Sequence, residues 1–221
     1  MTHPTPPAEA SDEDLLDRWI DGDAGAGKFL IRRHYRRILL FFYDKVGPEV
    51  SKDLTQATFE TLCTNKISFR GDATMRTFLF GIARWKLVHH FRTVRAYGDR
   101  FEPMEQSASV AEVSQSIHSL FMDRQREALV VRALRSLPLD DQIVLELKEY
   151  EGMTARQIAA VYEVGRDTMS SRINRARKRL ATVVAELAES AELVDSTLTG
   201  LDTCMREIRA RIGQSAGEES S

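Results

Sequence analysis

Apolar residues recur at helical intervals through most of the chain. After Ser11, the first of them have the spacing of one helix face: Leu15, Leu16, Trp19 and Ile20. The same spacing returns in four further stretches, at about residues 28–46, 51–64, 75–97 and 124–188. The alternation of apolar and polar residues that is typical of a half-buried β-strand occurs nowhere. The pattern predicts an all-α protein.

Glycine and proline residues predict where these helices end. Gly22, Gly25 and Gly27 are expected to break the chain after the first helix. Gly47 followed by Pro48 is expected to end the second helix. In the third helix, Cys63 lies on the apolar face, which predicts that its side chain is buried in the core.

Composition divides the 221 residues into five segments. Residues 1–10 are rich in Pro, Thr and Ala and are expected to form a disordered tail. Residues 98–123 hold five acidic residues against Arg100 alone, which is typical of an acidic linker. We therefore predict two small helical domains, at residues 11–97 and 124–183, and a C-terminal helical extension with a tail at residues 184–221.

Net charge, cysteine content and hydropathy exclude several classes of protein. Lys and Arg number 31 and Asp and Glu 33, so the net charge of −2 argues against a uniformly basic nucleic-acid coat. Cys63 and Cys204 are too few for a disulfide framework or a zinc site. Neither an 18-residue apolar run nor a secretory leader is present. We expect a cytoplasmic protein without membrane insertion.

The charges are distributed in blocks of opposite sign. Residues 9–27 hold seven acidic residues and one arginine, and the linker is acidic as well. Residues 76–97 hold five basic residues and no acidic one, and residues 166–179 hold six basic residues against Asp167. Two basic helices are consistent with two solvated helix faces. We favour contact with nucleic-acid phosphates, because one such helix lies in each predicted domain.

Residues 154–180 have the pattern of a helix-turn-helix. Thr154 is expected to cap a short helix, and the turn Glu163–Val164–Gly165 separates it from a second helix with a buried stripe: Met169, Ile173, Ala176 and Leu180. An ordinary αα-hairpin shares this spacing, but the basic second helix favours DNA. The side chains that we predict to contact duplex DNA are Arg166, Ser170, Ser171, Asn174, Arg175 and Lys178.

Several motifs in a fixed order resemble the sigma-70 family of bacterial RNA polymerase subunits, in particular its extracytoplasmic-function group. The stretches SLPLDDQIVLELKEYEGMTARQIAAVYEV and SSRINRARKRL are similar to region 4, which binds the promoter −35 element. The stretches DLLDRWIDGD, DLTQATF and FRGDATMRTFLFGIARWKL are similar to region 2. The resemblance covers about residues 12–97 and 124–183.

The resemblance implies further site residues in the first half of the chain. In DLTQATF, Asp53 and Gln56 are candidate contacts to core RNA polymerase. The loop at residues 69–74 resembles the one that captures a base flipped out of the −10 element, and the helix after it would hold the melted strand. Cations with apolar pockets suit single-stranded DNA, and the stretch includes Phe80 among its aromatic residues. The candidate −10 contacts are Phe69, Arg70, Asp72, Arg76, Arg84, Trp85, His89 and Arg92.

The chain departs from the family pattern at three positions. Trp85 stands where the family often has an Asn that contacts the −10 base, and it is open to a core role or a base-stacking role. Ser170 stands where an Arg is common. The usual glycine of the turn is Glu163, and Gly165 takes the place of a capping Ser. The first two departures concern which promoter bases are read.

Two other motifs resemble sites of different chemistry. Residues 22–28 fit the phosphate-loop spacing GxxxxGK, but a helical segment precedes them and Phe29 stands where a Ser or Thr would hold magnesium. We interpret them as an interhelical turn. The histidines His34, His89 and His90 lack cysteine or carboxylate partners at metal-ligand spacing, so we expect them at the core edge or facing DNA.

The sequence therefore predicts a sigma factor rather than an enzyme. It would bind core RNA polymerase and promoter DNA and direct initiation, with no catalytic residue, cofactor or metal. The alternative is a stand-alone helix-turn-helix regulator. The C-terminal extension is either a helical cap or an inhibitory segment whose acidic face competes with DNA, and an anti-sigma factor is the other expected regulator.

Overall fold

The computed structural model describes residues 10–66, 73–98 and 125–188, together with positions 195, 197 and 199. The chain divides into two compact units, residues 1–117 and 118–221. Every regular element among the described residues is helical, which confirms the all-α fold class. The boundaries of the five predicted segments remain predictions.

The first unit contains four helices: α1 (Asp12–Ile20), α2 (Ala24–Val46), α3 (Pro48–Asn65) and α4 (Met75–Gly98). Helix α2 packs against the other three, and α3 also packs against α4. Their facing apolar stripes form a core whose largest fully buried side chains include Leu15, Leu30, Ile38, Phe42, Leu62, Leu79, Phe80 and Leu87.

Helix α2 begins earlier than predicted because a side chain caps it. Asp23 Oδ1 accepts hydrogen bonds from the N–H groups of Gly25 at 2.9 Å and Ala26 at 3.1 Å. Of the three glycines in this stretch, Gly22 alone has a positive φ, of 103°, and turns the chain there. The prediction that Gly25 and Gly27 break the chain is wrong, since both lie inside the first turns of α2. The GxxxxGK stretch is thus the turn between α1 and α2.

Two further contacts hold α1 in place. Asp12 accepts hydrogen bonds from Arg33 Nη1 at 2.8 Å and pairs with the buried His34, whose Nε2 lies 2.7 Å from Asp12 Oδ2. At the other end, Lys66 Nζ donates to the carbonyl of Trp19 and lies 4.5 Å from its ring centroid. The first helix is therefore joined to both α2 and the end of α3.

Helix α3 begins at Pro48, three residues before the predicted start. Proline is favoured at the first helical position because its missing N–H would have no intrahelical partner there. On this helix Cys63 is exposed, so the prediction of a core position is wrong. The buried residues of its last two turns are instead Thr58, Phe59 and Leu62.

The second unit contains α5 (Gln125–Arg135), α6 (Leu139–Leu145), a π-helical turn (Glu146–Tyr150), α7 (Ala155–Tyr162) and α8 (Arg166–Leu187). Helix α8 packs against α5, α6 and α7. The shared core includes Leu129, Ala133, Leu134, Leu137, Leu145, Ala176, Leu180 and Val184. All but nine residues of the predicted linker and extension lie outside the described residues.

Candidate nucleic-acid interface

Helices α7 and α8 form a helix-turn-helix. Thr154 caps α7 in a reciprocal capping box with Gln157, and the helix buries Ile158, Ala159 and Val161 as the sequence predicts. The chain then turns through Glu163, which adopts the left-handed conformation with φ of 54°. Gly165 precedes α8 in an extended conformation. The short helix is thus fixed by its cap and by its turn.

Helix α8 has one buried side and one open side. The predicted stripe is buried: Met169, Ile173, Ala176 and Leu180. The side chains predicted to contact duplex DNA lie away from that stripe. Ser170 is half-buried, and the others are exposed: Arg166, Ser171, Asn174, Arg175 and Lys178. The structure therefore brings this whole set to one accessible helix.

The basic residues of α8 are not equivalent. Arg177 Nε donates to Glu149 Oε1 at 3.1 Å, and Arg179 Nη1 donates to Asp141 Oδ2 at 2.6 Å. The guanidinium of Arg172 lies 5.9 Å from the ring centroid of Tyr162. These three cations hold α8 against its own unit. The exposed cations of the open side are Arg166, Arg175 and Lys178.

The π-helical turn places one of these partners. It follows α6 directly, and the N–H of Glu151 bonds the carbonyl of Glu146 at 3.0 Å, closing the wider turn. Glu149 lies within this turn and is largely buried, with 14% of its side chain exposed. The turn thus presents a carboxylate to α8 at the position of Arg177.

The basic helix α4 presents a second accessible surface. Trp85 is 60% exposed, and His89 and Arg92 are exposed as well. The indole of Trp85 stacks on the imidazole of His89 with 5.3 Å between centroids and 27° between planes. Arg76 and Arg84 are half-buried and have further contacts in the fold. The other −10 candidates, Phe69, Arg70 and Asp72, lie outside the described residues.

Burial decides two predictions, one for Phe80 and one for the three histidines. Phe80 is 1% exposed and packs edge-on against Phe41, so it is a core residue and offers no surface to a base. The three histidines separate: His34 is in the core, His89 is exposed and His90 is half-buried. Burial also lowers the pKa of His90 below its ordinary value.

A groove lies beside the candidate polymerase contacts on α3. It has a volume of about 600 Å³ and lies between α2 and α3. Tyr35 and Phe59 line the groove, and their rings stack with centroids 6.0 Å apart. Gln56 lines it as well. Gln56 Nε2 donates to Glu60 Oε1 at 2.9 Å, and Asp53 is exposed on the same helix. The surface around this groove is mixed apolar and polar.

Known proteins similar to this chain are RNA polymerase sigma factors. Residues 124–180 match the family model described as Sigma-70, region 4. The chain is 26% identical over 186 residues to the ECF RNA polymerase sigma-E factor of Escherichia coli strain K12, covering 81% of this chain and 97% of that protein. It is 28% identical over 196 residues to the RNA polymerase sigma-H factor of Pseudomonas aeruginosa, covering 83% of this chain and 98% of that protein. Over most of its length the chain is thus similar to RNA polymerase sigma factors, and its residues 124–180 match region 4 of the sigma-70 family.

A solved structure has a similar fold. The chain is similar to CnrH, solved in complex with the cytosolic domain of CnrY, with a TM-score of 0.59 and 22% identity. The match covers 81% of this chain and all of that one. The all-α architecture is therefore shared with a known protein.

Within the ranges that the structure covers, no three His, Cys, Asp or Glu side chains form a group that could hold a metal ion. None of the described helices is long and apolar enough to cross a membrane.

Sequence reasoning missed two features of this surface. The first is the division of the α8 cations into paired and open sets, because the acidic partners of Arg177 and Arg179 lie 28 and 38 positions earlier in the chain. The second is the groove beside Gln56, which was missed because it is formed only when α2 and α3 pack together. Cys63, which the sequence places on the apolar face, lines this groove, so no local pattern marks it.

Proposed function

We propose that the chain binds core RNA polymerase and directs promoter-specific initiation, reading the −35 duplex with α8 and holding the melted −10 strand with α4. The observation that carries the proposal is the open side of α8 in a chain that spans nearly the full length of relatives named RNA polymerase sigma factors. In this assignment residues 11–97 are the region 2-like domain and residues 124–183 the region 4-like domain. We assign it no reaction of its own.

Duplex reading by α8 is supported by the chemistry of its open side. Amide and guanidinium side chains such as Asn174 and Arg175 can bond two atoms of one base edge in the major groove. Ser171 can bond a base or a phosphate, and Lys178 suits a phosphate. Because a recognition helix contacts bases through its N-terminal half, we place base reading at residues 170–175 and backbone contact at Lys178.

Strand holding by α4 is supported by its accessible ring and cations. A single strand offers unpaired bases and a phosphate backbone, which bind aromatic rings and basic side chains. Trp85, His89 and Arg92 supply these groups on one exposed helix face. The predicted loop residues Phe69, Arg70 and Asp72 remain part of the proposal.

Polymerase docking is supported by the surface of α3. The exposed Asp53 and Gln56 lie beside a groove with stacked aromatic rings, and mixed apolar and polar surfaces of this kind are typical of protein interfaces. We therefore propose that core polymerase contacts α3 and the adjoining face of α2.

Regulation would come from a protein partner or from the C-terminal extension. The similar protein CnrH was solved with the cytosolic domain of CnrY, which supports a partner protein for this chain as well. Truncation after Ala185 distinguishes the two. A gain in promoter binding by the truncated chain alone supports the inhibitory extension, and unchanged binding overturns it and leaves the extension as a helical cap.

The deciding experiment combines the full chain with core RNA polymerase on genomic DNA. We expect run-off transcripts from a defined set of start sites that core polymerase alone does not use. A stand-alone regulator would instead bind DNA without polymerase, as a dimer on a palindrome, and would confer no initiation. That second result would overturn the proposal.

A further inference from the structure

The chain is held in place on both sides of the predicted loop at residues 69–74. Residues 67–72 lie outside the described residues, but Lys66 and Thr74 on either side of them are described. Lys66 follows the last residue of α3, and Thr74 precedes the first residue of α4. The contacts of these two residues therefore fix where the chain leaves α3 and where it enters α4.

Lys66 contacts a helix that lies 47 positions earlier in the sequence. Its Nζ donates to the carbonyl of Trp19 at 3.3 Å and lies 4.5 Å from the centroid of the indole ring. This carbonyl belongs to the last turn of α1, where the negative end of the helix dipole favours a cation. The ammonium group is therefore held by a hydrogen bond, by the helix dipole and by an aromatic face.

The corner between α1 and α2, which Lys66 contacts, is itself rigid. A Cβ added to Gly27 would overlap the indole of Trp19, so the two helices are in close contact there. Arg18 Nη2 donates to Asp23 Oδ2 at 2.6 Å, and Oδ1 of the same carboxylate caps α2. Because the corner has little freedom to move, its contact with Lys66 restricts the chain that leaves α3.

On the other side of the loop, Thr74 caps α4. Its Oγ1 accepts a hydrogen bond from the N–H of Thr77 at 3.2 Å and lies 2.9 Å from the hydroxyl of this buried residue. The carbonyl of Thr74 accepts a hydrogen bond from the N–H of Phe78 at 3.1 Å. Residues 67–73 thus connect two fixed positions. A segment with fixed ends has less conformational entropy to lose when it closes on a ligand.

We propose that Lys66 and Thr74 are positioning residues for the capture of the flipped −10 base, and that the corner between α1 and α2 acts on promoter melting through Lys66. This inference rests on the proposed function and adds residues that act without touching the captured base. The free energy needed to order the loop is subtracted from the free energy of base capture. Loss of either contact should therefore slow melting, whereas the initial binding to duplex promoter, which precedes base flipping, should keep its affinity.

The first test follows melting of a promoter from the mapped start sites, with a fluorescent base analogue in the −10 element and the full chain bound to core polymerase. The dependence of the rate on polymerase concentration gives the affinity of the initial complex and the maximal melting rate. Lys66→Ala and Thr74→Ala should each lower the maximal rate about threefold to tenfold and leave the affinity within twofold. Lys66→Arg and Thr74→Ser keep the cation and the cap, respectively, and should restore most of the rate. Lys28→Ala, which removes an exposed lysine near the start of α2, is the matched control and should change neither quantity.

The second test asks whether these contacts act through the captured base. Single abasic sites replace each position of the −10 element in turn on the strand that is held after melting. At the captured position no base is left to bind, so Lys66→Ala should no longer slow melting there. At the other positions it should slow melting as on intact DNA. A purely structural role of Lys66 would give the same slowing at every position. Thermal unfolding of each variant confirms that it is folded at the temperature of the measurement.

The outcomes separate this inference from the proposed function. Initiation by the unmodified chain supports the proposed function whatever the variants do. With initiation intact, three results would each overturn the positioning role alone: unchanged melting by both alanine variants, equal slowing at every abasic position, or a loss of initial affinity as large as the loss of rate. Failure of the unmodified chain to initiate overturns the proposed function, and the positioning role is overturned with it.

Discussion

Gly27 lies so close to the indole of Trp19 that a Cβ on it would fall 2.5 Å from both Nε1 and Cε2 of the ring. Any side chain at this position forces α1 and α2 apart. We predict that Gly27→Ala lowers the free energy of unfolding by about 1 to 3 kcal/mol, despite the higher helix propensity of alanine. Urea denaturation followed by circular dichroism measures this change. Gly81→Ala is the matched control and should raise stability by about 0.5 to 1 kcal/mol, since its Cβ meets nothing.

Asp12 makes the stability of the first unit depend on pH in the acid range. Burial alone would raise the pKa of Asp12, but hydrogen bonds and charge from His34 and Arg33 outweigh it and lower the pKa to about 2. The contribution is therefore complete above the ordinary carboxyl pKa of 3.8 and is lost as the pH falls from about 4 through 2. At this partly exposed position we expect about 1 to 2 kcal/mol.

The measurement is urea denaturation at a series of pH values between 2 and 6. Asp12→Asn should lower stability at pH 6 and flatten the decline below pH 4. Glu13→Gln, an exposed neighbour in the same turn, should leave the decline unchanged. Equal slopes for Asp12→Asn and the unmodified chain would contradict the assignment.

Arg175 and Arg177 should separate DNA binding from stability. Arg177→Ala leaves the largely buried Glu149 without this partner and should lower the free energy of unfolding by about 1 to 2 kcal/mol. Arg175→Ala should leave stability unchanged and weaken binding to a −35 duplex by about 1 to 3 kcal/mol. Anisotropy titrations on a duplex from the mapped start sites, repeated at several salt concentrations, measure the second effect. If Arg177→Ala lowered affinity as much as Arg175→Ala at full stability, the division of the α8 cations would be wrong.

Glu163 is the one non-glycine residue with positive φ among those that the structure describes. The left-handed conformation costs a residue with a Cβ about 1 to 2 kcal/mol, and glycine avoids this cost. Glycine also raises the entropy of the unfolded chain, which offsets part of this gain. Glu163→Gly should therefore stabilise the second unit by up to about 1 kcal/mol. Thermal unfolding measures the gain. Ala181→Gly, at a half-buried position inside α8, should destabilise by about 1 kcal/mol and serves as the opposite control.

Periodicity alone predicted most of the fold, and it did so where burial follows spacing. Met169, Ile173 and Ala176 are buried because a helix that packs on one side must place every third or fourth residue inside. The same rule located the open side of α8. It could not exclude Phe80 from the DNA surface, because an aromatic residue beside arginines is equally suited to a core and to a base.

The errors arose where one specific contact outweighs a general preference. Gly25 and Gly27 are poor helix formers, yet the Asp23 cap and the close approach of Trp19 keep them helical. The apolar neighbours of Cys63 suggested a core position, but the helix is rotated so that this residue lines the groove. The partners of Arg177 and Arg179 depend on tertiary packing and leave no local pattern.

Because of the π-helical turn, the number of residues before α7 determines whether Glu149 faces Arg177. A π turn holds about one residue more than an α turn, so deleting one residue ahead of Glu149 could leave a regular helix. That deletion would rotate Glu149 by about 100° about the helix axis and remove its carboxylate from Arg177. The extra residue thus acts as a spacer that brings the carboxylate of Glu149 to Arg177 on α8.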